Sequence, residues 1–167
     1  MSLKILNILS AALLAGPLAI AASPASGDHL GRSVIAGGIA VYLGIMPAEV
    51  LRSHPERYPR HEGTKIPAGK NVYHVMLALF DHATGARITD AEVAATVAPL
   101  GLAGASKRLD ATTVAGAGTY CNYFSMSARE NYVIRARIRR PGMVEVGVEF
   151  TLLAHARTPP TGMGPAG

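Results

Sequence analysis

Scarcities narrow the field before any motif is read. The 167-residue chain holds one cysteine and no tryptophan, and aromatic residues make up only 5%. A single thiol cannot pair within its own chain, so a disulfide-stapled miniprotein is excluded. Charged residues reach just 16% against 49% hydrophobic, and a chain with that much apolar side chain to bury is not disordered throughout. The glycines keep no period of three, which excludes a collagen-like rod. There is no Gly-x-Ser-x-Gly elbow, no His-Glu-x-x-His pair and no phosphate loop. Asp81, Asp90 and Glu92 stand near turns and strand starts, where carboxylates commonly satisfy backbone amides. The chain reads as a non-enzyme of one domain.

The long apolar run is confined to the start. Met1–Lys4 is short and positive, Ile5–Ala15 is almost unbroken aliphatic, and Gly16-Pro17 breaks any helix. Ala19-Ile20-Ala21 then offers small residues where a signal peptidase reads them. We expect a cleavable signal peptide over 1–21, a flexible leader over 22–32, a folded domain over 33–153 and a disordered Pro/Gly tail over 154–167. No cysteine follows the apolar run, which argues against a lipoprotein anchor. Export places the protein in the cell envelope, most simply the periplasm, where a lone Cys121 must be buried, paired with another chain or bound to something.

Beyond the leader the pattern is one of short alternating segments. Val34, Ile39, Val41 and Leu43 share one face around a break at Gly37-Gly38, and Pro47–Arg52 has the makings of one helical turn. Ser53–Lys70 carries three prolines and little apolar material, a loop long enough to be functional. Asn71–Asp81 is apolar on both faces, which predicts a central strand covered on each side. A turn over Asp81–Gly85 should lead into Ile88–Val97 as a returning strand, and Ala115–Gly118 reads as a flexible joint. In the last hairpin, Tyr132, Ile134, Ala136 and Ile138 face inward against Val144, Val146, Val148 and Phe150. A three-residue loop, Arg140-Pro141-Gly142, would set Ile138 opposite Val144 and Tyr132 opposite Phe150, with Gly142 left-handed. Frequent turns without helical periodicity predict an all-β fold, a β-sandwich.

Gly69-Lys70 before a strand ending Leu79-Phe80-Asp81, the Thr84-Gly85 turn and the run Ile88–Val93 resemble the small periplasmic immunoglobulin-like domains of the YtkA-like and FixH-like kind. Tyr132–Ile138 before Pro141-Gly142 is similar to their closing hairpin, and the likeness extends over Asn71–Thr151. The resemblance implies a role in envelope metal handling or oxidase assembly.

The residues themselves offer one chemistry of interest. Imidazole and thioether are the ligands that suit copper in an exported protein. His74 and Met76 lie two apart on one strand, so both leave the same face. His54 and His61 in the Pro-rich loop could fold over that face, and Met126 is a further candidate ligand. The same residues also fit a structural reading: His74 as a hydrogen-bonded core residue, Met76 as filler, and His54, His61 and His82 as solvated loop or turn residues. Cys121 reads either as a ligating thiol or, more simply, as a small buried hydrophobe.

The net charge of +5 invites acidic partners, yet Glu145 and Glu149 partly offset Arg135, Arg137 and Arg139. Aromatic interleaving is too sparse for nucleic acid, whereas peripheral contact with an anionic membrane surface or an acidic partner stays open. Two functions follow. One is an accessory protein that holds copper, or a similar transition metal, for delivery to an envelope protein partner. The other is a metal-free interaction module that presents a sheet edge or the 53–70 loop.

Overall fold

The computed structural model describes residues 25–26, 32–53, 65–114 and 116–154. The expected signal peptide, most of the leader, the tail from 155 and residues 54–64, with His54 and His61, lie outside them. Among the described residues nine strands and one short helix follow in order: β1 (Ala25–Ser26), β2 (Ser33–Ala36), β3 (Ile39–Pro47), α1 (Ala48–Ser53), β4 (Val72–Asp81), β5 (Glu92–Pro99), β6 (Ala105–Val114), β7 (Ala117–Ser125), β8 (Tyr132–Arg139) and β9 (Val146–Leu152). Among the described residues no helix is long and apolar enough to cross a membrane.

The strands form two layers that share β6. In one layer the order is β2-β3-β4-β7, continued by the second half of β6; in the other it is β1-β9-β8-β5, continued by the first half. Leu109 pairs with Val93 of β5, and the next residue, Asp110, pairs with Cys121 of β7. A strand that changes sheets in this way makes one corner of a β-sandwich. Period-two alternation supplies the filling. Val41, Leu77, Leu79 and Tyr120 come from one layer, and Val93, Ile134, Ile138 and Phe150 from the other, all buried in a common core. The Ala91 amide donates to the Tyr120 hydroxyl at 2.9 Å, a polar tie between the two layers.

The β-sandwich agrees with the reading of the sequence, and several of its details differ. Gly37 and Gly38, at φ 54° and 76°, form the two-residue turn of the β2–β3 hairpin, where positive φ at both positions suits the strand twist. At the expected joint β6 and β7 are antiparallel partners up to the Val114–Ala117 pair. Within the expected leader, Ala25–Ser26 pairs in parallel with Val148–Glu149 of β9.

The segment after the Asp81–Gly85 turn does not return as a hairpin partner of β4. It makes one bridge, Phe80–Arg87, and then crosses to the other layer, where β5 runs between β6 and β8. Both sides of β4 are already taken by β3 and β7, so no slot remains for it.

The last hairpin is also corrected, by two residues. Ile138 lies opposite Val146 and Tyr132 opposite Leu152, not opposite Val144 and Phe150. A slip of two keeps every side chain on its face, so the inward set survives, but Val144 is left in the loop at 88% exposed. The strands stop early because Arg140 turns away to Asp90, with Nε and one terminal nitrogen donating at 3.0 and 3.1 Å. The Met143 amide then closes a turn on the Arg140 carbonyl at 3.2 Å, with Gly142 left-handed at φ 71° as expected.

Candidate metal centre

The outward face of β4 carries the candidate ligands. With Tyr73, Val75, Leu77 and Leu79 committed to the core, alternation sends Val72, His74, Met76, Ala78 and Phe80 to the opposite face. Register then chooses their neighbours. Met46 of β3 and Tyr123 of β7 flank His74; Gly44 and Cys121 flank Met76. Two adjacent rows, Met46–His74–Tyr123 and Gly44–Met76–Cys121, thus gather one imidazole, two thioethers and one thiol on a single patch of sheet. Directly paired Cα atoms lie about 4.5–5.5 Å apart, and successive same-face residues on a strand about 6.6 Å apart, so these side chains can meet at one ion.

Local packing shapes that patch. Gly44 makes room for Met76, since a Cβ there would press on the Met76 methyl carbon at 3.1 Å. At the other row, α1 leaves β3 directly after Pro47 and folds over the face. Its Ala48 and Leu51 form a small apolar cluster with Tyr123, joined by Met46, Ile66 and Val72. Arg52 donates to the Pro67 carbonyl at 2.6 Å, which fastens the returning chain beside the helix. Beneath this cover His74 is 3% exposed, its ring stacked on Tyr123 with centroids 4.7 Å apart and planes at 26°.

Cys121 is buried and its thiol is free. Burial, with the charge of Asp110 beside it adding to the effect, pushes its pKa from 9.0 up to about 11. A metal that used this sulfur would have to displace a firmly held proton. Among the described residues no three His, Cys, Asp or Glu side chains gather as a ligand set. A centre built here therefore depends on thioether sulfur, and an S-rich donor set with one imidazole fits a soft ion such as Cu(I).

The structure brings His74 and Met76 together and separates Met126 from them. Met126 is 1% exposed and belongs to the sandwich core, on the other side of the sheet, with its amide donating to the Asn71 carbonyl. His82 is exposed in the turn at the opposite end of β4 from His74. Met46 was missed by sequence reasoning. Parity alone places it on the Tyr42 face, but its adjacency to His74 depends on a β3–β4 register that no short turn dictates.

At the open end of the same face lies a shallow groove of about 440 Å³, lined by Ala40, Tyr42, Ala78, Phe80, His82 and Arg87 among others. Tyr42 and Phe80 meet edge to face at 5.5 Å, and the Arg87 guanidinium lies 4.4 Å from the Phe80 ring centroid. Arg87 also donates to the Gly118 carbonyl, so it is held in place from the neighbouring strand.

No protein-family model matches the chain, and no curated protein matches it by sequence. Solved structures do share its architecture. A DUF4426 family protein from Pseudomonas aeruginosa PAO1 superposes with a TM-score of 0.51 at 16% identity, covering 72% of this chain and 93% of that one. A copper-bound variant of FetP from uropathogenic Escherichia coli gives 0.54 at 14% identity, covering 74% and 95%. A copper-bound variant of Campylobacter jejuni P19 gives 0.53 at 11% identity, covering 74% and 94%. At such identities the likeness establishes a shared β-sandwich fold.

Proposed function

We propose that this chain is an exported accessory protein of the cell envelope, of the YtkA-like or FixH-like kind, that holds copper for delivery to a protein partner. It performs no catalysis. His74 and Met76 bind the ion with Met46 and Cys121, and His54 and His61, outside the described residues, are further candidate ligands. The observation that carries this reading is the register that stacks Met46–His74 beside Met76–Cys121 on one face. The fold shared with copper-bound FetP and P19 supports it, and FetP was also obtained by expression in a bacterial periplasm. When bound, the ion supplies only a transferable charge and affinity for sulfur; the chain's part is to present the donors and exclude water.

Anaerobic Cu(I) titration against a chromogenic chelator tests this directly, with aerobic Cu(II) titration alongside. The wild type should take up one Cu(I) per chain. Met46→Leu, Met76→Leu and His74→Ala should each weaken uptake by tenfold or more, and Cu(II) should bind less tightly. Unchanged uptake in all three variants would reject the site.

A second reading keeps a specific observation in its favour. His74 is nearly fully enclosed and stacked on Tyr123, the surroundings of a packed residue. On that reading the chain is a metal-free interaction module, and the Tyr42–Phe80 groove is its contact surface. The titration separates the two, because an interaction module shows no stoichiometric copper uptake.

A further inference from the structure

The outer face of the other layer carries a pattern that the proposed function leaves unused. β8 presents Arg135, Arg137 and Arg139 to solvent in alternation. The two flanking arginines are answered by carboxylates. Arg135 meets Glu149 at 2.7 Å, while Arg139 meets Glu145 at 3.0 Å and Glu92 at 4.0 Å. In the middle row the answering positions hold Gly147 on β9 and Ala94 on β5, and the next residue across, on β6, is Arg108. Two guanidinium groups thus straddle a small floor. Their Cα atoms stand two strand spacings apart, about 10 Å, and no carboxylate among the described residues pairs with either. Arg108, Arg137 and Arg139 line a groove of about 230 Å³ at this point, with Glu92 and Glu145, already engaged by Arg139, at its end.

We infer that Arg108 and Arg137 form a clamp for a tetrahedral oxyanion, a phosphate group above all. Like charges brought to one row without a counter-charge repel, and an anion seated over Ala94 relieves both at once. Guanidinium forks suit this ligand, since each offers two parallel N–H donors matched to paired phosphate oxygens. The small residues Ala94 and Gly147 let the anion approach the sheet without a steric cost. Engagement of Arg135 and Arg139 by glutamates confines the site to the middle row, which distinguishes it from a diffuse basic patch.

Titration of the folded protein with inorganic phosphate, followed by arginine Nε–H and backbone amide resonances, tests the clamp; chloride at matched ionic strength is the control. Saturable shifts should concentrate on Arg108, Arg137 and Ala94. Arg108→Gln or Arg137→Gln should each weaken phosphate binding at least tenfold, while Arg135→Gln changes it less than twofold. Both tested arginines are exposed, so these variants should fold. Shifts no different from those in chloride, or wild-type affinity in both glutamine variants, would overturn the proposal. A parallel arm uses phosphatidylglycerol-containing vesicles against pure phosphatidylcholine ones. Co-sedimentation that is lost in Arg137→Gln supports the clamp and assigns its phosphate to a lipid headgroup; phosphate saturation without co-sedimentation supports it with a soluble phosphate compound as ligand.

Discussion

At the scale of single residues, Cys121 joins packing to chemistry. It is 5% exposed, beside Met76 in the pairing of β4 with β7 and beside Asp110 in that of β6 with β7. Burial, reinforced by the Asp110 charge, lifts the thiol pKa from 9.0 to about 11. A group that holds its proton more firmly when folded contributes stability fully below its unfolded pKa, and loses that contribution as pH rises through the folded one. The Cys121 contribution should therefore be constant up to about pH 9 and fall away by about pH 11. Denaturant unfolding of the wild type and Cys121→Ala across this range isolates it as the difference between the two curves. A difference that does not change with pH would show that the thiol is not desolvated as described. Met46 teaches a separate lesson at this scale. Its side-chain chemistry was in plain view, and its direction followed from the parity of Val41 and Leu43. Its neighbour did not, because adjacency across strands is a property of register and not of local sequence.

At the scale of elements, turns decide which registers can be read. Gly37 and Gly38 occupy positive φ in a two-residue hairpin. A Cβ at Gly37 would lie 2.5 Å from a Val146 methyl carbon, whereas a Cβ at Gly38 meets nothing within 4 Å. Gly37→Ala adds overpacking against β9 to left-handed strain, and together we expect a loss of about 2–5 kcal/mol. Gly38→Ala carries only the backbone strain and should cost about 1 kcal/mol. Urea unfolding of the two variants checks the order; equal losses would mean that the β2–β3 turn does not press on Val146. The same logic explains what could be foreseen elsewhere. Inward and outward faces of β4, β8 and β9 were legible because period two is written into the side chains. The β8–β9 register was not, since slips of two residues leave that pattern intact, and the deciding contact is Arg140 reaching Asp90, 50 positions away in sequence. The crossing of β5 was hidden for a similar reason: only the assembled sheet reveals that both sides of β4 are occupied.

At the scale of the whole molecule, the sandwich core and the candidate centre are separate bodies of apolar packing. The main cluster fills the space between the layers, while Ala48, Leu51 and Tyr123 form a second one outside the β4 layer, over His74. We expect an ion bound for His74 to pass this cover, and the sandwich itself need not open for it to do so. Local opening of such a peripheral unit draws on its own few contacts and not on global stability. Leu51 is the larger of the two α1 side chains buried in it, 6% exposed. Leu51→Ala should weaken the cover by about 2 kcal/mol, at the low end for a buried leucine, and so raise the open population about 30-fold. Stopped-flow transfer of Cu(I) from a weak chelator should then accelerate by at least tenfold in Leu51→Ala. The main core remains intact, so the variant stays folded, and its equilibrium affinity should match or exceed that of the wild type because less packing opposes entry. An unchanged transfer rate would mean that copper reaches its ligands by a route that avoids α1, through the open end of the face beside Tyr42 and Phe80.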